Sequence, residues 1–198
     1  MTTPHYWQKA KKHLSANDAV MAGIIKNYKG ESLKKITDDI FYSLARAIIG
    51  QQISVKAADS IWQRFAKLTK VSAAKTLKTK DESLREIGLS GQKVKYIKSV
   101  AEFCLAHDGH WHEDDEEVIN HLITIKGVGR WTAEMFLIFF LQRPNVLPLA
   151  DLGLLKAFEK HYKKPRSAIK AHSKKWQPYN SVATWYLWRS LDPVPVEY

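Results

Sequence analysis

The chain has 198 residues, enough for one sizeable core or for two small lobes, and its Lys and Arg number 31 against 20 Asp and Glu. The resulting charge of +11 points to a polyanionic partner, with nucleic acid foremost. A single cysteine, Cys104, excludes a disulfide framework, a thiolate zinc site and a four-cysteine cluster, and its apolar neighbours make it a small buried hydrophobe.

Residues 4–28 carry Trp7, Leu14, Val20, Ile24 and Ile25 at helical spacing, with a break near Ser15–Asp18 that predicts two helices. Thr37-Asp38-Asp39 is a helix-start signal for the apolar run Ile40–Ile49, which Gly50-Gln51-Gln52-Ile53 interrupts. Ser54 then caps a helix that runs to about Leu68. Ser72–Lys80 reads as a short helix and a solvated loop, and a further short helix stops at Gly88. Ser90-Gly91 opens a helix that extends to about His107, and its N-terminus beside Lys93 can hold a phosphate or be an ordinary turn. His107, His110 and His112 lack the helical spacing of a metal-ligand pair and are read as surface residues. The acids Glu113–Glu117 open the next helix, where they oppose its macrodipole.

That helix ends in Ile125-Lys126-Gly127-Val128-Gly129-Arg130-Trp131, where a second helical pattern begins at once. Two glycines around one apolar residue allow a tight turn with positive φ and leave no Cβ between the backbone and whatever lies against it. The N–H groups of the following helix then point outward, an arrangement suited to one phosphate of a nucleic-acid backbone. A Pro-bearing loop, Arg143–Pro148, delivers Asp151 to the start of a helix whose apolar side carries Leu152, Leu154, Leu155, Phe158 and Tyr162. Lys163–Arg166 breaks it, and Tyr179–Ser190 forms the last helix. No segment shows sustained alternation with β-branched residues, so the fold class is all-α. The N-terminus has no signal-peptide core and no segment is long enough to span a bilayer, so the expected setting is intracellular, without membrane contact: cytoplasm or nucleoid in a prokaryote, nucleus in a eukaryote.

Leu44-Ala-Arg-Ala-Ile-Ile-Gly-Gln-Gln-Ile-Ser54, Gly88-Leu-Ser-Gly-Gln-Lys93, Ile125-Lys-Gly-Val-Gly-Arg-Trp-Thr-Ala133 and Leu147-Pro-Leu-Ala-Asp151 resemble, in this order, the DNA-3-methyladenine glycosylase II branch of the helix-hairpin-helix base-excision glycosylases. The resemblance covers about Ile40 to Trp188. It implies two helical lobes around a DNA-binding cleft, one built from about residues 1–36 with 145–198 and the other from about 37–144, with the helix-hairpin-helix at 115–140. The chain starts too close to the helical core for the N-terminal β-subdomain of the best-known bacterial enzyme, so a compact form is expected.

The family flips a damaged nucleotide out of duplex DNA and cleaves its bond to the base. By family position Asp151 is the carboxylate that stabilises the oxocarbenium character of the sugar and directs water, although an aspartate there is also a good helix N-cap. Where relatives that also cut the strand carry a Schiff-base lysine, this chain has Trp131, which implies base release without strand cleavage. Trp131, Met135 and Trp188 take positions that form the base pocket; for Trp188 a core role is equally open. Met135 replaces a tyrosine and Gln52 replaces a leucine that wedges into the stack. Lys126, Gly127, Val128, Gly129 and Arg130, with Ser90, Gly91 and Lys93, are expected at the DNA backbone. Backbone carbonyls of about Ile123, Ile125 and Val128 can hold a structural Na+ or K+, and no cofactor is required. The expected protein is a monomeric monofunctional glycosylase for alkylated purines in double-stranded DNA. A glycosylase for hypoxanthine, uracil or mispaired bases, and a non-enzymatic hairpin protein, are the alternatives.

Overall fold

The computed structural model describes residues 2–191; the expected end of the first lobe at 198 lies outside them. Twelve α-helices follow the predicted order within this range. They are α1 (Trp7–Asn17), α2 (Ala19–Asn27), α3 (Ile40–Gly50), α4 (Val55–Thr69), α5 (Ala73–Lys78), α6 (Asp81–Glu86), α7 (Gly91–Ala106), α8 (Asp115–Leu122), α9 (Arg130–Met135), α10 (Leu152–Tyr162), α11 (Ile169–His172) and α12 (Asn180–Arg189). The α9 helix runs on as a π-helical turn, Phe136–Phe140. Among the described residues the sole β-pairing is an isolated bridge from Thr2 to Lys35, and no helix is long and apolar enough to cross a membrane.

The helix starts follow from local chemistry. Asp18, Asp39, Ser54, Ser72, Ser90, Asp114 and Asp151 each precede a helix and accept from amides of its first turn, which would otherwise lack partners. The chain divides into two compact units, one formed by the segment up to Ile36 with the segment from Leu137 onward, the other by Thr37–Phe136. The second change-over thus falls at the π-helical turn, earlier in the chain than about residue 144.

In the second unit α7 packs against α3, α5 and α6, and Val94, Ile97 and Val100 of α7 are buried, as are Ile48 of α3 and Leu84 of α6. Cys104 on α7 is half-buried, and burial, followed by the nearby Asp39 charge, pushes its thiol up to about 12, so it stays protonated at neutral pH. In the first unit α12 is buried along most of its length, from Asn180 to Trp188, packed on α1, α2 and α10. Trp7, Trp176, Trp185 and Trp188 all fall inside this unit. Four of the seven tryptophans of the chain therefore fill a core, where each ring removes a large apolar area from water. Leu152 departs from the predicted apolar side of α10: at the first helical position it is 62% exposed, because the core-facing stripe begins only with Leu154.

Asp18 is the polar centre of the first unit. Its Oδ1 accepts from the Val20 and Met21 amides, both at 3.0 Å. Its Oδ2 accepts from Tyr162 Oη and His172 Nε2 at 2.8 Å and from Trp176 Nε1 at 2.9 Å. One carboxylate thus ties α1 and α2 to α10 and α11. Burial alone would raise this carboxyl, but the bonds from Trp176, the Met21 amide, His172 and Tyr162 outweigh it and hold it below its ordinary value. Its stabilising effect is therefore complete above the unfolded carboxylate range and is lost as pH falls through the folded value. Asp18→Ala should lower stability by about 3 kcal/mol or more, since several buried donors lose their acceptor. Thermal melts of the wild type should fall off below about pH 4 more steeply than those of Asp18→Asn.

Candidate active site and nucleic-acid interface

The hairpin turn is shaped by one glycine and left open by the other. Gly127 has φ +93°, in the left-handed region, and a Cβ on it would stand 2.2 Å from Cγ of Tyr96. The Tyr96 ring, one helical turn beyond Lys93, thus fills the space that a side chain at 127 would take. Gly129 has φ −93° and ψ 172°, which any residue adopts, so its left-handed freedom is not used. A Cβ there would meet nothing within 4 Å. Its missing side chain instead leaves open the approach to the first turn of α9, whose N-cap it is.

Around the turn lies a recess of about 400 Å³, lined by Gln51, Gln52, Ser90, Gln92, Lys93, Tyr96 and Gly127–Gly129. Three stretches far apart in the chain converge here: the α3–α4 loop, the start of α7 and the hairpin. Ser90 caps α7 by accepting from the Lys93 amide at 3.2 Å. Arg85, which the motif reading did not single out, lies over Gly91, where a Cβ would stand 2.6 Å from its Nη2. Gln52 is exposed, with φ +59°, and Ile53 beside it is 38% exposed. Lys126 is exposed, and its backbone amide donates to Ser99 Oγ at 3.2 Å.

Two cations expected at a phosphate also bond within the protein. Lys93 Nζ donates to the carbonyls of Ile49 and Gln51, both at 2.7 Å, and so closes the end of α3. Arg130 Nη1 donates to Glu116 Oε2 at 2.9 Å, its Nη2 also pairs with Glu116, and its Nε donates to the buried Glu134 at 3.2 Å. The acids at the start of α8 face this guanidinium because α8 and α9 pack together. Their placement answers Arg130 as well as the helix dipole.

Trp131, at the second position of α9, is partly exposed, while Met135 is buried beside Leu44, Ala47 and Phe136. Trp188 is buried in the other unit, stacked on Phe139 with ring centres 5.9 Å apart and planes 10° from parallel. Its indole Nε1 donates to Asp151 Oδ1 at 2.7 Å. The same oxygen accepts from the Leu154 amide at 2.6 Å, so Asp151 is the N-cap of α10 and also a hydrogen-bonded carboxylate. Gly153 permits this: a Cβ there would stand 3.2 Å from Asp151 Oδ1 and 3.3 Å from Trp188 Cδ1.

The loop ahead of Asp151 is held by the other end of α12. Ser181 Oγ accepts from the Val146 amide at 2.9 Å and donates to the Arg143 carbonyl at 2.6 Å, and the Ser181 amide donates to Pro144 O at 3.0 Å. Asn180 donates to Asn145 Oδ1 at 2.9 Å. A single helix thus grips both the Pro-bearing loop and the carboxylate that ends it. Asn180 and Ser181 carry a weak sequence signal, since two small polar residues opening a helix read simply as caps.

An all-α chain with a glycine hairpin and a capped aspartate beyond a Pro-bearing loop defines a class, and comparison with known proteins supplies the family. Residues 45–178 match the family described as HhH-GPD superfamily base excision DNA repair protein, and the chain belongs to it. DNA-3-methyladenine glycosylase 1 of Schizosaccharomyces pombe is 33% identical, the alignment covering 92% of this chain and 86% of that one. The crystal structure of a DNA-3-methyladenine glycosidase from Bacillus halodurans superposes with a TM-score of 0.82 at 31% identity, covering 96% of this chain and 92% of the other. An S. pombe 3-methyladenine DNA glycosylase in complex with abasic DNA gives 0.77 at 31% identity, covering 92% and 96%.

The two hairpin glycines should separate in experiment. Gly127→Ala is expected to cost about 2 kcal/mol or more in unfolding melts, because it meets both an unfavourable φ and the Tyr96 ring. Gly129→Ala should leave the melting temperature unchanged yet weaken duplex affinity about tenfold, the ~1.4 kcal/mol expected when one close backbone contact is spoiled.

Proposed function

We propose that this protein is a monofunctional DNA glycosylase that releases alkylated purines of the 3-methyladenine and 7-methylguanine type from duplex DNA by hydrolysing the bond between base and sugar. It works as a monomer and requires no cofactor. Family membership and relatives named DNA-3-methyladenine glycosylase support the substrate class. The observation that carries the reaction is Asp151, whose Oδ1 is held at 2.6 Å by a helix amide and at 2.7 Å by an indole N–H.

Both bonds restrict the rotation of the carboxyl group. As the C1′–N bond of an extruded nucleotide breaks, the electron pair leaves with the base and positive charge develops on the sugar. A fixed carboxylate stabilises that charge and orients the water that adds to C1′. An N3- or N7-alkylated purine is already cationic, so it departs as a neutral base without a general acid; the attacking water gives up the proton. The second unit holds the duplex through its backbone at the hairpin turn, with Gln52 entering the stack. Trp131 offers an electron-rich face to the cationic purine and, having no amine, forms no Schiff base. A structural Na+ or K+ would take carbonyls of Ile123, Ile125 and Val128. The Ile125 carbonyl already accepts from the Val128 amide at 3.0 Å, so it would offer its remaining lone pair.

The test is product analysis on methylated duplex DNA. Free 3-methyladenine and 7-methylguanine should appear together with an uncut abasic strand, and borohydride should trap no covalent complex; absence of free base would end this reading, and a trapped complex would end its monofunctional part. Trp188→Phe keeps a ring against Phe139 but loses the donor to Asp151. It should lower kcat by about 10- to 100-fold with little change in KM, the ~1.5–3 kcal/mol of a hydrogen bond to a charged group.

A further inference from the structure

The α3–α4 loop holds a conformation that its own sequence disfavours. Gln52 sits at φ +59°, where a side chain with a Cβ costs about 1 kcal/mol and glycine is the usual occupant. Its tip, Gln52 and Ile53, is exposed. A left-handed glutamine at an exposed tip persists only when its surroundings over-determine it, and such strain gathers at working sites.

Those surroundings are specific. On the main-chain side, Lys93 Nζ bonds the carbonyls of Ile49 and Gln51, both at 2.7 Å, and so fixes the residue just before the tip. On the side-chain side, Gln51 turns away from its own loop: Nε2 donates to the Gly127 carbonyl at 3.2 Å, with Thr132 Oγ1 at 3.4 Å. Tyr96, on the same helix as Lys93, packs against Gly127 from another direction. The strained tip and the hairpin turn are therefore joined twice, directly through Gln51 and indirectly through α7.

We propose that Gln51, buttressed by Lys93, is a positioning residue that sets the Gln52–Ile53 tip in register with the hairpin. The strand gripped at the turn and the base step entered by the tip are then chosen by one rigid assembly. The ligand is duplex DNA, and the inference rests on the glycosylase reading in assigning the tip to the base stack. Such a tip is ordered when the protein folds, so no ordering cost remains at the moment of unstacking. Gln51 does not itself enter the DNA; it acts through the shape it imposes on Gln52.

The test uses the full chain and a duplex with 2-aminopurine next to an alkylated purine. Gln51→Met keeps the length of the side chain and removes its donor. The variant should melt within a few degrees of the wild type and bind undamaged duplex within about 2-fold, while the fluorescence rise on unstacking and the single-turnover rate of base release both fall about tenfold, the loss expected for one hydrogen bond's worth of positioning. Lys93→Met should act in the same direction. In a Gln52→Gly background, where the tip is already loose, Gln51→Met should add little. Wild-type unstacking by Gln51→Met, or a loss that adds in full to that of Gln52→Gly, would overturn the proposal. If the wild type unstacks 2-aminopurine but frees no base, the glycosylase reading fails, and the unstacking signal still decides the role of Gln51.

Discussion

Asp151 Oδ1 joins the start of α10 to the end of α12 in the first unit. It accepts from the helix that the residue caps and from the indole of Trp188, both within 2.7 Å, and Gly153 leaves the gap through which the indole reaches it. An N-cap and a carboxylate held for catalysis make compatible demands, an acceptor oxygen fixed near a helix N-terminus, so the role proposed for Asp151 does not conflict with its capping of α10. The burial of α12 follows from this arrangement. It must carry Asn180 and Ser181 at one end for the Pro-bearing loop and Trp188 at the other for the carboxylate, and only a helix fixed on most sides by core packing holds two such points to a fraction of an ångström. Asp18, through its bonds to Tyr162, His172 and Trp176, fixes the neighbouring helices on which α12 rests.

In the second unit the corresponding constraint is the absence of a Cβ at Gly127. Tyr96 occupies that space, Gln51 bonds the Gly127 carbonyl, and Lys93 closes the end of α3, so the turn, the tip and the start of α7 form one assembly. Cations are used sparingly in it. Arg130 is bound to Glu116 and Glu134 and Lys93 to carbonyls, while Lys126 is exposed and the Arg85 guanidinium lies over Gly91. Amides placed by a turn recognise a phosphate by shape as well as by charge, and shape is what a register-setting grip requires.

Much of this was legible in sequence wherever the determinant is local. The helix starts at Thr37–Asp39, Ser54 and Ser90 could be read because a short polar acceptor ahead of an apolar periodic run has few other uses, while near Asp18 only a break showed; the hairpin could be read because two glycines around a valine break that period abruptly. What could not be read depends on partners far along the chain. The intramolecular partners of Arg130 and Lys93 were hidden because charge declares a sign but not an address; Glu116 lies fourteen residues from Arg130, and the Gln51 carbonyl lies forty-two from Lys93. Trp188 could be read as an aromatic surface or as core, but its N–H donor has no meaning until Asp151 stands beside it. Leu152 misled because helical period alone does not say where on a helix the core begins.

The central claim is that Asp151 acts on the reacting sugar and does not merely cap α10. Asparagine at this position still offers an oxygen to the Leu154 amide, so it preserves the cap while removing the charge. Under single-turnover conditions on a 7-methylguanine duplex, Asp151→Asn should bind with near wild-type affinity and melt at a similar temperature, yet release base at least about 100-fold more slowly, the scale of a lost preorganised electrostatic contact. Base release at the wild-type rate by a folded, DNA-binding Asp151→Asn would contradict the account.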